Sequence, residues 1–108
     1  MPLVTVGKFE LENDGGFVCD IHAIYADDNG MQHEACNHNN FPIGQTRTMD
    51  LSEKCPGIAN GSSVQLKVWI ALGTDNTYGQ LFQYVPNGPT LKFKISGSTL
   101  NNSIQFIG

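Results

Sequence analysis

Apolar and polar residues alternate with a period of two along much of the chain. The segment 90–96 places Leu91, Phe93 and Ile95 on one face, with threonine, lysine and serine on the other. The segment 63–71 repeats this pattern. Such alternation is typical of a strand with one buried face. Most of the chain is therefore predicted to form strands.

Turn signals separate these segments. The Asn-Gly pair at 29–30 predicts a tight hairpin, and Pro56 with Gly57 limits residues 49–55 to one helical turn. The pattern predicts an all-β fold, a single antiparallel β-sandwich of about eight short strands in one domain, 1–108. The expected strands are 3–11, 17–26, 31–36, 45–51, 63–71, 80–85, 90–96 and 102–107.

Composition and charge exclude several classes of protein. Hydrophobic residues make up 40% and charged residues 15% of the 108, and no segment approaches the roughly 20 apolar residues of a membrane span. The net charge of -4 argues against nucleic acid or an anionic membrane as a partner. No signal peptide is recognisable at the N-terminus, which predicts a cytoplasmic or non-classically secreted protein.

The order of the strands predicts which loops share an end. Successive antiparallel strands place the loops 12–16, 37–44, 72–79 and 97–101 together. Sugar hydroxyls require converging donors and acceptors, with an aromatic ring for the sugar face. Asp75 is the first choice for the key polar residue, because a carboxylate accepts stronger hydrogen bonds than an amide. Tyr78 or Phe41 would supply the ring. The predicted ligand-binding residues are Asp14, Asn39, Asn40, Asp75, Asn76, Tyr78, Ser98 and Thr99.

The same residues have a simpler interpretation. Asn, Asp and Gly populate any β-turn because they tolerate left-handed geometry. The binding hypothesis depends on the convergence of all four loops.

The order of features from Gly16 onward resembles the C-terminal β-sandwich domain of the cholesterol-dependent cytolysins. The matching segments are Gly-Gly-Phe-Val at 15–18, Val-Gln-Leu-Lys-Val at 64–68 and Ile-Ser-Gly-Ser-Thr-Leu at 95–100. In that family a Thr-Leu pair recognises cholesterol, so the resemblance implies that role for Thr99 and Leu100.

The family's Trp-rich undecapeptide has no counterpart. It should follow Lys67, but residues 70–78 contain neither its cysteine nor its tryptophans. The resemblance therefore implies a sandwich that binds a glycan or a sterol at a cell surface, without pore formation. In size and character the chain is also similar to small stand-alone hemagglutinins of the slime-mould kind.

Candidate metal ligands occur at three places in the sequence. The group at 33–38, namely His33, Glu34, Cys36 and His38, fits no zinc spacing, and a strand sends the first two to opposite faces. Binding is predicted to need no metal or other cofactor. Calcium at Asp75–Asn76 or Asp27–Asp28 is the less favoured alternative.

The three cysteines allow one internal disulfide. Cys36 and Cys55 are predicted to pair, stabilising the fold by roughly 3 kcal/mol, while Cys19 stays a buried thiol. His22 beside Asp20 predicts an exposed ion pair. Trp69, on the face away from Leu66 and Val68, is either a binding platform or a residue covered by a loop.

No catalytic motif is present, and the chain is predicted to be non-enzymatic. The preferred function is a carbohydrate-binding lectin or hemagglutinin that recognises glycans or glycoconjugates on cell surfaces. The first alternative is a lipid- or sterol-binding module with peripheral membrane contact, and the second is a protein-binding module. The oligomeric state and the sugar stay open.

Overall fold

The computed structural model describes residues 3–108, and within them the regular structure comprises ten strands and one short helix. These elements are β1 (Thr5–Val6), β2 (Lys8–Gly15), β3 (Cys19–Ala26), β4 (Gln32–Cys36), β5 (Thr46–Asp50), α1 (Leu51–Lys54), β6 (Ser63–Ile70), β7 (Asn76–Thr77), β8 (Phe82–Tyr84), β9 (Thr90–Gly97) and β10 (Asn102–Phe106).

The strands form two sheets that pack face to face. The first sheet has the order β1-β8-β6-β3-β4, with β7 also paired to β6, and the second has the order β10-β9-β2-β5. The predicted all-β sandwich is confirmed. Its sheets are mixed rather than purely antiparallel, because β1 pairs with β8 and β2 with β9 in parallel. A period of two places strands but does not determine the direction of their partners.

The predicted first strand, 3–11, is divided between the two sheets. β1 ends at Val6 and β2 begins at Lys8, so the chain changes sheet at Gly7. A Cβ at Gly7 would lie 2.5 Å from the carbonyl oxygen of Gly88, which only glycine tolerates. β2 then continues to Gly15, so the predicted loop at 12–16 is mostly strand.

The core lies between the sheets and is rich in aromatic rings. Phe9 of β2 meets Phe82 of β8 and Phe93 of β9 edge to face, with ring centroids 5.9 and 5.6 Å apart. All three side chains are buried. Each comes from an alternating strand, so the period of two in the sequence becomes the inward face of each sheet. This core fixes the strands whose ends carry the loops described next.

Four connecting segments meet at one end of the sandwich, which we call the tip: residues 16–18, 37–45, 71–75 and 98–101. Backbone hydrogen bonds join them to each other and to the adjoining strand ends: Gly16 N to Gly97 O, Ala71 N to Val18 O, Thr74 N to Thr99 O, and Gly44 N to Asn13 O. The predicted grouping of loops is thereby confirmed. Asn76 and Thr77, expected in a loop, instead form β7 against β6.

The opposite end carries the hairpin at 27–31 and α1. Gly30 adopts the left-handed φ of 79° that the Asn-Gly pair predicts. Asp50 caps α1 by accepting a hydrogen bond from the Ser52 amide, and the helix stops before Pro56, as predicted. Within residues 3–108 the structure has no helix long and apolar enough to cross a membrane.

Candidate functional site

Asn13 organises the tip from inside. Its side chain is fully buried, and its amide nitrogen donates to the carbonyl oxygens of Phe17 (2.7 Å) and Phe41 (3.1 Å). Its Oδ1 accepts from the Gly15 amide at 2.9 Å. The predicted loop at 12–16, expected to carry exposed polar side chains, includes Asn13. The structure shows instead that Asn13 ties the end of β2 to the segments 16–18 and 37–45.

Two of the predicted binding residues hold their own loop in place. Asp75 Oδ1 accepts from the Ile70 amide at 3.0 Å, and Oδ2 lies 3.8 Å from the Lys67 ammonium. Asn76 donates to Asn102 Oδ1 at 2.7 Å. The Asp75 carboxylate closes the turn after β6, and Asn76 joins β7 to β10.

Further predicted residues are engaged in the same way. Ser98 Oγ accepts from the Asn101 amide, while the Thr99 carbonyl accepts from the Thr74 amide at 2.9 Å. Asn39 Oδ1 accepts from Arg47 Nε at 3.2 Å. The Ser98 side chain closes the turn at 98–101 and the Asn39 side chain holds Arg47 of β5, so both have a structural role at the tip.

Asp14 and Asn40 differ from the rest of the predicted set. Both are exposed beside the tip, and neither side chain takes part in the hydrogen bonds found among residues 3–108. Thr99 is half-buried and bonded only through its backbone carbonyl, so its hydroxyl joins Asp14 and Asn40 as a predicted polar group that stays available to a ligand.

Of the aromatic side chains proposed for sugar stacking, one is buried and the other is half-buried against the core. Phe41 is fully buried. Tyr78 packs against Phe82, Phe93 and Phe106, with ring centroids 5.4 to 6.4 Å away. Their placement is a correction, because both rings serve the core. Trp69, which is half-buried, lies on the outer face of the first sheet as expected.

Two leucines project from adjacent loops of the tip. Leu72 is 100% exposed and Leu100 is 75% exposed, and both line one open groove with Trp69. Leu72 has a left-handed φ of 56°, which is rare for a residue with a large side chain. The resemblance pointed to Leu100 but not to Leu72. An apolar residue before Gly73, inside a polar loop, was the signal available in the sequence.

Gly73 brings these two loops into contact. A Cβ at this position would lie 2.3 Å from the carbonyl oxygen of Thr99. Only a glycine therefore permits the backbone approach that sets Leu72 beside Leu100. Val18 and Ile43 add two further exposed apolar side chains to the tip.

The cysteines and histidines are arranged differently from the prediction. All three cysteines are free. Cys36 pairs with His22 across β3 and β4 on the outer face of the first sheet, whereas Cys55 lies in the core. The predicted disulfide is wrong because the sheet separates the two thiols. Burial raises the pKa of Cys19 and of Cys55 to about 12.

The four side chains at 33–38, whose spacing fits no zinc pattern, have separate partners. His33 Nε2 lies 2.6 Å from Asp27 Oδ2, away from Cys36. Glu34 contacts His22 and Lys67, and the hydrogen bond with His22 is the largest cause of its lowered pKa. Asp20 is buried rather than exposed, so the expected surface ion pair with His22 is also corrected.

No protein-family model matches the chain, and neither does any curated protein. Solved structures that resemble it include the membrane-binding domain of pneumolysin, at 16% identity and a TM-score of 0.47, covering 94% of this chain and 96% of that domain.

Intact toxins also resemble it. Suilysin from Streptococcus suis has 15% identity and a TM-score of 0.46, covering 94% of this chain. A disulfide-locked mutant of intermedilysin with human CD59 has 18% identity and a TM-score of 0.47, covering 93% of this chain. The chain spans 23% of the length of each of these two toxin chains. At these values the likeness carries no inference about ligand or activity.

Proposed function

We propose that this chain is a non-enzymatic module that binds the surface of an uncharged, sterol-containing lipid bilayer through its tip. The observation that carries the proposal is the pair of exposed leucines, Leu72 and Leu100, on loops joined by the Thr74–Thr99 hydrogen bond. The sequence resemblance at Thr99 and Leu100, which implies cholesterol recognition, supports the choice of a sterol.

The exposed area of the leucines sets the strength of binding. Burying one leucine side chain contributes about 1.5–3 kcal/mol, so both together contribute about 3–6 kcal/mol. This corresponds to dissociation constants of about 10 mM to 50 μM, with the weaker end favoured because Leu100 is already partly covered. We therefore expect weak and reversible attachment, which needs millimolar lipid to be measured.

Charge determines which lipids suit the tip. The chain carries a net charge of -4, and the Lys67 ammonium at the base of the tip lies 3.0 Å from Glu34 and 3.8 Å from Asp75. An anionic surface would repel such a protein. A zwitterionic bilayer would not, and a sterol presents one small hydroxyl group that polar groups beside the leucines can meet.

Vesicle co-sedimentation tests the proposal. Phosphatidylcholine vesicles with cholesterol should retain the protein, and vesicles without cholesterol should retain less. Leu72→Asn should weaken binding by about ten- to a hundredfold because it removes one apolar anchor. It should not destabilise the fold, since Asn tolerates the left-handed backbone. Leu100→Ser should weaken binding similarly.

Met31→Asn is the matched control. Met31 is 63% exposed and lies in the hairpin at the opposite end. Its replacement should leave vesicle binding unchanged. Equal loss in Met31→Asn and Leu72→Asn, or no retention of the unchanged protein at millimolar lipid, would refute attachment through the tip.

Glycan binding is the second candidate function. The observation that favours it is the pair of exposed polar side chains, Asp14 and Asn40, that keep their hydrogen-bonding groups available beside the tip. The test is agglutination of erythrocytes. Glycan binding is favoured over bilayer binding if free sugar inhibits the agglutination and if Asp14→Ala and Asn40→Ala abolish it. In that case Leu72→Asn should leave it intact.

A further inference from the structure

A compact group of metal-binding side chains lies on the outer face of the first sheet. Asp20 and His22 are two residues apart on β3, so they share a face, and Cys36 of β4 is directly opposite His22. Asp20 Oδ2 lies 3.0 Å from Cys36 Sγ and 4.0 Å from His22 Nε2. All three ligand atoms lie within 4.8 Å of one another.

We propose that Asp20, His22 and Cys36 bind one divalent transition-metal ion, with Zn²⁺ the ion whose preferences fit this group. A carboxylate oxygen, an imidazole nitrogen and a thiolate are the ligands zinc takes, at about 2.0–2.3 Å. Tetrahedral geometry then places neighbouring ligand atoms about 3.4–3.6 Å apart. The observed separations bracket this range, so small rotations of the side chains suffice. The fourth position is left to water.

Glu34 and Lys67 orient the imidazole for this role. Glu34 Oε2 lies 2.7 Å from His22 Nδ1, and Lys67 Nζ lies 3.0 Å from Glu34 Oε1. A carboxylate at Nδ1 favours the tautomer with its proton there, which leaves the lone pair of Nε2 facing Asp20. Zinc-binding histidines commonly have such a carboxylate partner, which fixes the ring and raises its basicity.

Asp20 is held rigidly below the connection between β4 and β5. It is 1% exposed, and its carboxylate accepts from the backbone amides of Ile21, His38 and Asn39. His38 takes a left-handed φ of 55° to make this contact. A metal at Asp20 and Cys36 would therefore clamp this connection onto β3.

Metal binding exchanges one proton for the ion. In the structure the Cys36 thiol donates to Asp20, and its pKa is raised by burial and by that hydrogen bond. When Zn²⁺ binds, the S–H bond breaks, the proton leaves to the buffer and the Zn–S bond forms. The two negative charges of the thiolate and of Asp20 then balance the charge of the ion.

The test uses protein from which a chelator has removed any metal. Zn²⁺ alone is titrated into it in a calorimeter, and the melting temperature of the protein is measured with and without Zn²⁺. One equivalent should bind and raise the melting temperature. It should also protect Cys36 from alkylation, since Cys36 is the one thiol that is not buried. Cys36→Ser and His22→Gln should abolish binding, and Glu34→Gln should weaken it by about 10–100-fold because it only orients His22.

His33→Gln is the matched control, because His33 is an exposed histidine bonded to Asp27, outside the group. It should bind Zn²⁺ like the unchanged protein. Absence of binding to the unchanged protein overturns the proposal. So does binding that survives both Cys36→Ser and His22→Gln, or that His33→Gln removes. If Cys36→Ser fails to fold, unprotected alkylation of Cys36 in the unchanged protein with Zn²⁺ overturns it equally.

Discussion

Asn13 offers the sharpest test of how the tip is built. Asn13→Ala would remove three buried hydrogen bonds. It would leave the Phe17 carbonyl and the Gly15 amide without these partners, whereas the Phe41 carbonyl keeps the Cys19 amide. Each abandoned buried group costs about 1–3 kcal/mol, so the loss of unfolding free energy should be at least about 2 kcal/mol. A protein of this size has a free energy of unfolding of only about 5–15 kcal/mol.

Urea unfolding followed by circular dichroism measures this loss. The midpoint should fall with an unchanged m-value, and the melting temperature should drop by about 8 °C or more. Asn13→Asp tests the donor role of Asn13 apart from its acceptor role. It keeps an oxygen that accepts from the Gly15 amide, but it turns a carboxylate oxygen toward the two carbonyl oxygens to which Asn13 donates. It should therefore be as harmful as Asn13→Ala at neutral pH.

Asp14→Ala is the control for Asn13, since its exposed side chain makes no comparable contact, and it should change stability by less than about 0.5 kcal/mol. A loss below about 1 kcal/mol in Asn13→Ala, or full stability in Asn13→Asp, would refute the assignment of Asn13 as the organiser of the tip.

Two further changes probe the loops at either end. Gly73→Ala should destabilise the protein and weaken vesicle binding because the new Cβ would meet the Thr99 carbonyl. Gly79→Ala should do neither, since a Cβ at Gly79 would have no neighbouring atom within 4 Å. Equal melting temperatures of the two variants would contradict this. The hydrogen bond from His33 is the largest cause of the lowered pKa of Asp27. The ionised Asp27 therefore stabilises the folded protein above the ordinary carboxyl pKa of about 3.9, and this contribution is lost as pH falls through the folded-state pKa. Asp27→Asn should therefore be less stable than the unchanged protein at neutral pH and approach it in acid, as melting curves against pH will show.

The sequence predicted the strands well because their inward faces alternate strictly. β6 and β9 lie within one residue of their expected bounds. The hairpin at 27–31 and α1 also lie where the Asn-Gly pair and the Pro-Gly pair placed them. Local pattern governs these elements, and it needs no knowledge of partners.

The same alternation could not predict which polar side chains are buried and which are exposed. Asn13, Asp20 and Asn37 are buried, whereas Asp14 and Asn40 are exposed, although all are short polar residues near strand ends. Whether such a side chain satisfies backbone groups or faces solvent depends on which loops meet around it. That is a property of the tertiary structure, so the predicted sugar-binding group mixed supporting residues with free ones.

Most polar side chains of the tip have a structural role, whereas its exposed leucines have none, and this contrast is the strongest reason to assign function to the leucines. Asp75, Asn76, Ser98 and Asn39 are explained by the loops that they hold together. Leu72 has no such explanation, since it is fully exposed and its φ of 56° is a conformation that asparagine or glycine adopts at less cost. Folding alone would favour those residues at this position. A leucine there gains free energy only when something apolar covers it, and a lipid bilayer meeting the tip also covers Leu100 beside it.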